Sequence, residues 1–259
     1  MTSNPQASQP DSRTAFDRTR EAQLRQLNRL LQRVMAPEDG CPLYLEKYNN
    51  EKIPLTDLAE LAGLPILHKS ELLPTEADRE SGFIPGAARF HYGNPDRYVR
   101  YHQTSGTTGT PLVVLDSAED WAWWMQAWQC VLDSANITAA DRVLMAFSFG
   151  PFIGFWSAND ALVYRGALVI PTGGMSSLQR LQIALDRHAT VLCCTPTYAM
   201  HLADTAQQRQ MDLRACGIDR IIVAGEPGGS IPSVRERIET AWGARGVDHS
   251  GASEIGPWG

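Results

Sequence analysis

The chain has 259 residues, 43% of them hydrophobic and 20% charged, with a formal net charge of -6 and an isoelectric point near 5.5. This globular composition supports one large core or two smaller ones and excludes collagen-like, coiled-coil and wholly disordered chains. The net acidity argues against a surface built to neutralise a phosphate backbone, so no nucleic-acid partner is expected.

Residues 1–10 are polar, lack a basic-then-apolar pattern and read as a disordered leader rather than an export signal. Residues 11–100 read as a helical, loop-rich N-terminal part. Within 11–35, Leu24, Leu27, Leu30, Leu31 and Val34 recur at helical spacing among Arg and Gln, which predicts an amphipathic helix packed on its domain. Thr56, ahead of Asp57-Leu58-Ala59-Glu60-Leu61, reads as the cap of a short helix.

The five cysteines, Cys41, Cys130, Cys193, Cys194 and Cys216, are odd in number and lack metal-type spacing, so they read as reduced thiols of a cytoplasmic protein. The longest apolar region, 143–171, is interrupted by Asn159, Asp160 and Arg165 and reads as core, so no membrane association is expected.

Residues 101–259 read as an α/β core. The Gly/Thr-rich segment Gln103 to Pro111 precedes a predicted strand, 112–115. The capping-box-like Ser117-Ala118-Glu119-Asp120 then opens a helix with Trp121, Trp124, Met125 and Trp128 on one face. From residue 142 strands and helices alternate: strands at 142–147, 167–170, 190–195, 220–224 and 246–249, with helices near 152–164, 177–187, 197–208 and 232–242. That alternation predicts a mostly parallel sheet covered by helices. In such a fold ligands bind beyond the carboxyl ends of the strands. The residues there are Phe147-Ser148-Phe149-Gly150-Pro151, Thr195-Pro196-Thr197-Tyr198, Ala224-Gly225-Glu226-Pro227 and Ser250-Gly251-Ala252-Ser253-Glu254.

Thr104-Ser105-Gly106-Thr107-Thr108-Gly109-Thr110 offers hydroxyl and backbone N–H donors to a polyanion, as a phosphate cradle does. It is neither a Walker loop nor a dinucleotide-binding turn. The lysines are Lys47, Lys52 and Lys69, and Thr110 stands where a lysine could reach a phosphate, so neutralisation falls to a bound cation, arginines or a further segment. Magnesium is the natural cation, and Glu254 the carboxylate to hold it. Glu226 fits either a nucleotide-facing role or a cap of the following helix. His249 and His201 lack a partner motif and read as structural.

The segments 103–109, 224–227 and 251–254 resemble, in order and spacing, those of the adenylate-forming enzymes, and within them the phenylacetate-CoA ligase family. The run Leu64-Pro65-Ile66-Leu67-His68-Lys69-Ser70-Glu71-Leu72 is similar to that family's LPxxxKxxL segment, and Thr195-Pro196-Thr197-Tyr198 looks like its counterpart. The resemblance implies the large N-terminal domain of an ATP-dependent aryl acid:coenzyme A ligase. Such an enzyme forms an acyl-adenylate with release of pyrophosphate, and then an acyl-CoA with release of AMP.

Thr104, Ser105, Gly106, Thr107, Thr108 and Gly109 would hold the β- and γ-phosphates, Gly225, Glu226 and Pro227 the adenine, Ser253 the α-phosphate and Glu254 Mg2+. Ser250, Gly251 and Ala252 would complete the nucleotide site, with Ser250 standing where the family has a tyrosine on the adenine. Phe147, Phe149, Phe152, Phe155 and Tyr198 would line the site of an aromatic acid. The family continues beyond the point matched by Gly259 with a small domain bearing a catalytic lysine, so this chain alone is expected to turn over poorly. Alternatives are an adenylating enzyme that loads a carrier-protein thiol and a truncated, non-catalytic ligand-binding module. The oligomeric state is open, a homodimer included.

Overall fold

A computed structural model gives the fold and describes residues 12–80, 84–106 and 109–258; the expected leader, 1–10, lies outside them. The chain divides between Asp96 and Arg97 into two compact units.

In the first unit, helix α1 (Ser12–Val34) turns Leu24, Leu27, Asn28, Leu31 and Val34 inward, while Leu30 is 56% exposed. The amide of Asn28 both donates to the carbonyl of Leu55 and accepts from its N–H, at 2.8 Å each. A polar residue thus holds a stripe position by satisfying the backbone of the segment it faces. Helices α2 (Pro42–Tyr48), α3 (Lys69–Leu72) and α4 (Glu76–Glu80) are short, and Lys47 of α2 binds Glu71 of α3 at 2.6 Å. The helix predicted after Thr56 is a 3-10 helix, Leu58–Gly63, capped by Asp57 rather than Thr56. The Asp57 carboxylate accepts from the Ala59 N–H at 2.7 Å, whereas Thr56 donates through both its hydroxyl and its N–H to Glu60.

In the second unit, β1 (Tyr98–Gln103) and β2 (Val113–Ser117) pair antiparallel, so the Gly/Thr-rich segment is the loop of a hairpin. Ser117 ends β2 and caps α5 (Ala118–Ser134), its hydroxyl accepting from the Asp120 N–H while the Asp120 carboxylate accepts from the Ser117 N–H. Trp121, Trp124, Met125 and Trp128 are buried along one side of α5.

Strands and helices then alternate as the periodicity predicts: β3 (Arg142–Met145), α6 (Ile153–Arg165), β4 (Leu168–Pro171), α7 (Ser177–Asp186), β5 (Val191–Cys194). The series continues with α8 (Pro196–Gln208), β6 (Arg220–Val223), α9 (Pro232–Trp242) and β7 (Arg245–Asp248). The strands form one parallel sheet of order β4-β3-β5-β6-β7.

Side chains alternate across this sheet, as the pleat requires. Val143, Met145, Val191, Cys193, Ile222 and Val247 pack with α5 and α6 on one face. Leu144, Leu192, Cys194, Ile221 and Val223 pack with α7, α8 and α9 on the other. A hairpin of β8 (Ser250–Ala252) and β9 (Gly256–Trp258) follows; its strands are too short for periodicity to reveal. Among the described residues no helix is long and apolar enough to cross a membrane.

Candidate functional site

The strand order reverses at β3, because the chain runs outward to β4 and then back across β3 to β5. In a doubly wound sheet the ligand crevice opens beyond the carboxyl ends of the strands at that reversal. The segments that follow β3 and β5 are therefore the walls of the candidate site.

The wall after β3 is held by a residue that the motifs did not single out. Arg180 of α7 is 5% exposed and donates to the carbonyls of Thr172, Ala146 and Phe147 at 3.1, 3.0 and 3.2 Å. One buried guanidinium thus satisfies carbonyls from the segments after both β3 and β4, with the planar fork that lysine lacks. Its signal in the sequence was a charged residue beside Leu181 and Ala184 in the inward stripe of a predicted helix.

Phe147 and Phe155 stack at 4.2 Å, Phe152 meets Phe155 edge-on at 6.2 Å, and Phe149 lies 5.0 Å from Trp156. Phe147, Phe149 and Phe155 pack on the α5/α6 side of the sheet, and Phe152 joins them through Phe155. Tyr198 does not join them. Thr195 caps α8 by accepting from the Tyr198 N–H, and the ring packs on the opposite side, with its hydroxyl 3.0 Å from Ser177 Oγ and its face 5.0 Å from the Arg180 guanidinium. The start of α8 on that face, rather than the strand end itself, sets the direction.

The neck of the Gly/Thr-rich loop is closed from both sides. The Thr104 N–H donates to the Leu112 carbonyl, and the Leu112 N–H to Thr104 Oγ1, each at 3.0 Å. Gln103 donates its N–H to the carbonyl of Pro151 at 2.8 Å, which fastens the root of the loop to the segment after β3. Gly106 has φ +67°, and a Cβ there would lie 2.8 Å from Pro111, so only glycine makes this turn without strain. Ser105 is exposed. Thr107 and Thr108 lie outside the described residues.

Between β6 and α9, Gly225 has φ +89°, and a Cβ on Gly229 would meet Asp248 Oδ1 at 2.3 Å. Gly229 therefore packs directly on the end of β7, while Gly225 and Gly228 pack on Thr195 and Pro196 after β5. Glu226 does not cap α9, whose cap is Ile231. Its carboxylate accepts from the Thr197 hydroxyl at 2.5 Å at the start of α8, linking the segments after β5 and β6. Burial opposes its ionisation, but hydrogen bonds from the Thr195 and Thr197 hydroxyls and the Thr197 N–H outweigh this and hold the carboxyl below its ordinary range.

Ser253 and Glu254 sit in the turn of the β8–β9 hairpin, half-buried, with Ser250, Gly251 and Ala252 forming its first strand. Gly256, with φ +100°, seats the hairpin on α5, because a Cβ there would lie 2.4 Å from the ring of Trp123. Among the described residues no three His, Cys, Asp or Glu side chains cluster as a metal site.

No family model matches the chain. It is similar to the phenylacetate-coenzyme A ligase of Pseudomonas putida, 27% identical over 237 residues that cover 89% of this chain and 50% of that protein. The phenylacetate-coenzyme A ligase of Escherichia coli strain K12 is also 27% identical, over 91% of this chain and 52% of its own length. Among solved structures, 2-hydroxyisobutyryl-CoA ligase in an open conformation with 2-HIB-AMP and CoA superposes with a TM-score of 0.80 at 25% identity, covering 91% of this chain and 54% of that one. The same ligase in the thioesterification state gives 0.81 at 26%, over 92% and 50%.

The chain has the fold of the adenylate-forming ligases. It resembles the phenylacetate-coenzyme A ligases along nine-tenths of its length, as the motifs implied, and spans about half the length of these relatives.

Proposed function

We propose that this chain is the acid- and nucleotide-binding part of an AMP-forming acid:coenzyme A ligase that acts on an aromatic acid. The observation that carries this reading is the Gln103 to Pro151 hydrogen bond, which ties the root of the Gly/Thr-rich loop to the wall bearing the phenylalanine cluster. The loop proposed to hold the phosphates and the aromatic wall proposed for the acid would thus adjoin at the reversal of the sheet.

In the first step an acid oxygen attacks the α-phosphorus of ATP, and the bond to pyrophosphate breaks. In the second, coenzyme A thiolate attacks the acyl carbon and AMP leaves. Both steps gain most from placement and from donors set in advance around developing charge.

The backbone of 104–106 and 109 would hold the outer phosphates, helped by the Thr104 hydroxyl, whose proton stays free to donate while its oxygen accepts from Leu112. The turn Gly225-Glu226-Pro227 would bed the adenine, and Ser253 would reach the α-phosphate. Glu254 would hold Mg2+ together with those phosphates, one carboxylate being a usual protein share for that ion. When bound, the ion would neutralise the phosphate charge. With Ser250 in place of an aromatic residue, the adenine would rely on the turn rather than on ring stacking.

The test is saturable binding of benzoyl- and phenylacetyl-sulfamoyl-adenosine, stable mimics of the acyl-adenylate, to this chain. It is paired with pyrophosphate release from Mg-ATP by the complete gene product, given benzoic, phenylacetic, cinnamic and 2-hydroxyisobutyric acids. Binding together with release driven by an aromatic acid supports the reading. Release driven only by 2-hydroxyisobutyrate would replace the aromatic substrate, and neither binding nor release would end the proposal.

A further inference from the structure

His249 follows β7 at the carboxyl edge of the sheet and extends the pairing with β6, its N–H donating to the Val223 carbonyl at 2.9 Å. Two residues after Val247, it projects to the α5/α6 side, where its ring lies 4.1 Å from that of Trp128. It is 6% exposed, and Nδ1 is buried without a hydrogen-bond partner among the described residues. Buried polar atoms are nearly always paired, so an orphan at a ligand-binding edge calls for an explanation.

The ring also hydrogen-bonds the Trp258 backbone, in the sense that favours its protonated form. It therefore donates to the carbonyl, and the orphaned Nδ1 leaves Nε2 to do so. In the neutral imidazole this favours the tautomer with the proton on Nε2 and a bare acceptor lone pair on Nδ1. Such an atom is satisfied by an O–H or N–H group.

Extending the strand register along the same edge brings Phe147 after β3 level with Thr195 after β5, Ala224 after β6 and His249 after β7. Three strand spacings, about 14 Å, separate the first from the last. Between the two rings the floor is only a threonine and an alanine, both half-buried. Trp128 closes the α5 side, its indole N–H donating to Ser157 of α6 at 2.9 Å. Phe147 and His249 thus stand at the two ends of this row, with the smaller Thr195 and Ala224 between them and Trp128 against the His249 ring.

Resting on the proposed ligase reading, we propose that His249 determines specificity, accepting a hydrogen bond at Nδ1 from a hydroxyl or amino substituent of the aromatic acid. The preferred substrate class is a hydroxy- or amino-substituted aromatic acid rather than the unsubstituted one.

The experiment titrates the chain with sulfamoyl-adenosines carrying benzoyl, each hydroxybenzoyl and each aminobenzoyl isomer. It uses wild type, His249→Leu and His249→Asn; the asparagine Oδ1 keeps an acceptor near the Nδ1 position. Wild type should bind at least one substituted isomer about 10-fold tighter than the benzoyl compound. His249→Leu should reduce that preference to near unity without loss of thermal stability, and His249→Asn should retain part of it. The 15N resonance of His249 Nδ1 should move toward hydrogen-bonded values with the preferred isomer and stay put with the benzoyl compound. Equal binding of all isomers by wild type, or an unchanged preference in His249→Leu, would overturn this assignment and leave the ligase reading standing. Binding of none would overturn both.

Discussion

The Arg180 guanidinium lies over the ring of Tyr198 at 5.0 Å while donating to three carbonyls of the strand-end segments. Replacing it with methionine would remove the guanidinium donor from the Ala146 and Phe147 carbonyls, whereas the Thr172 carbonyl keeps the Met175 N–H at 3.2 Å. Arg180→Met is expected to cost at least about 3 kcal/mol in urea unfolding. Arg180→Lys should recover only part of this, since an ammonium cannot span the same fork.

Glu226 supplies a titration test. Its folded-state carboxyl is held below the ordinary range by donors from Thr195 and Thr197. Its stabilisation is therefore complete above the unfolded carboxyl value and lost as pH falls through the lower folded one. Glu226→Gln should be less stable than wild type near neutrality, by about 1 kcal/mol on the scale of a helix cap. The two melting temperatures should converge as the solution is acidified.

The hairpin that presents Glu254 depends on Gly256. An alanine there would meet the Trp123 ring and adopt a φ of +100° that side chains rarely take. Gly256→Ala should displace the hairpin and destabilise the protein by more than about 1 kcal/mol. Tryptophan emission should report the displacement, and binding of the adenylate mimics should weaken. Binding equal to wild type would dissociate the hairpin from the nucleotide site.

His249 contributes to the acid limb of stability alongside the carboxylates. Burial lowers its pKa from 6.5 to about 4, so between these values the unfolded chain binds a proton that the folded one refuses. Stability should thus be full above pH 6.5 and decline as pH falls toward 4, by roughly 3 kcal/mol for this group. Chemical denaturation across that range should show the slope in wild type and a flatter one in His249→Leu.

Much of the fold was legible in the sequence because its signals are local. A parallel strand buried on both faces must be an apolar run, and a helix covering it must repeat its apolar residues every three to four positions, so β3 to β7 and their helices announce themselves. The Gly/Thr-rich loop, the turn at 225–229 and the Glu254 segment were likewise readable as turns, since tight turns restrict residue type. The tertiary structure decided the rest. Strand order, and hence the reversal at β3, arises from which crossovers pack. Tyr198 shares a motif with Thr195 yet leaves the phenylalanine side, because the first turn of α8 aims it at Arg180. Arg180 and His249 carry no motif at all. Their significance lies in which distant backbone or ring each one meets, a relation that forms only when segments far apart in sequence are brought to one edge.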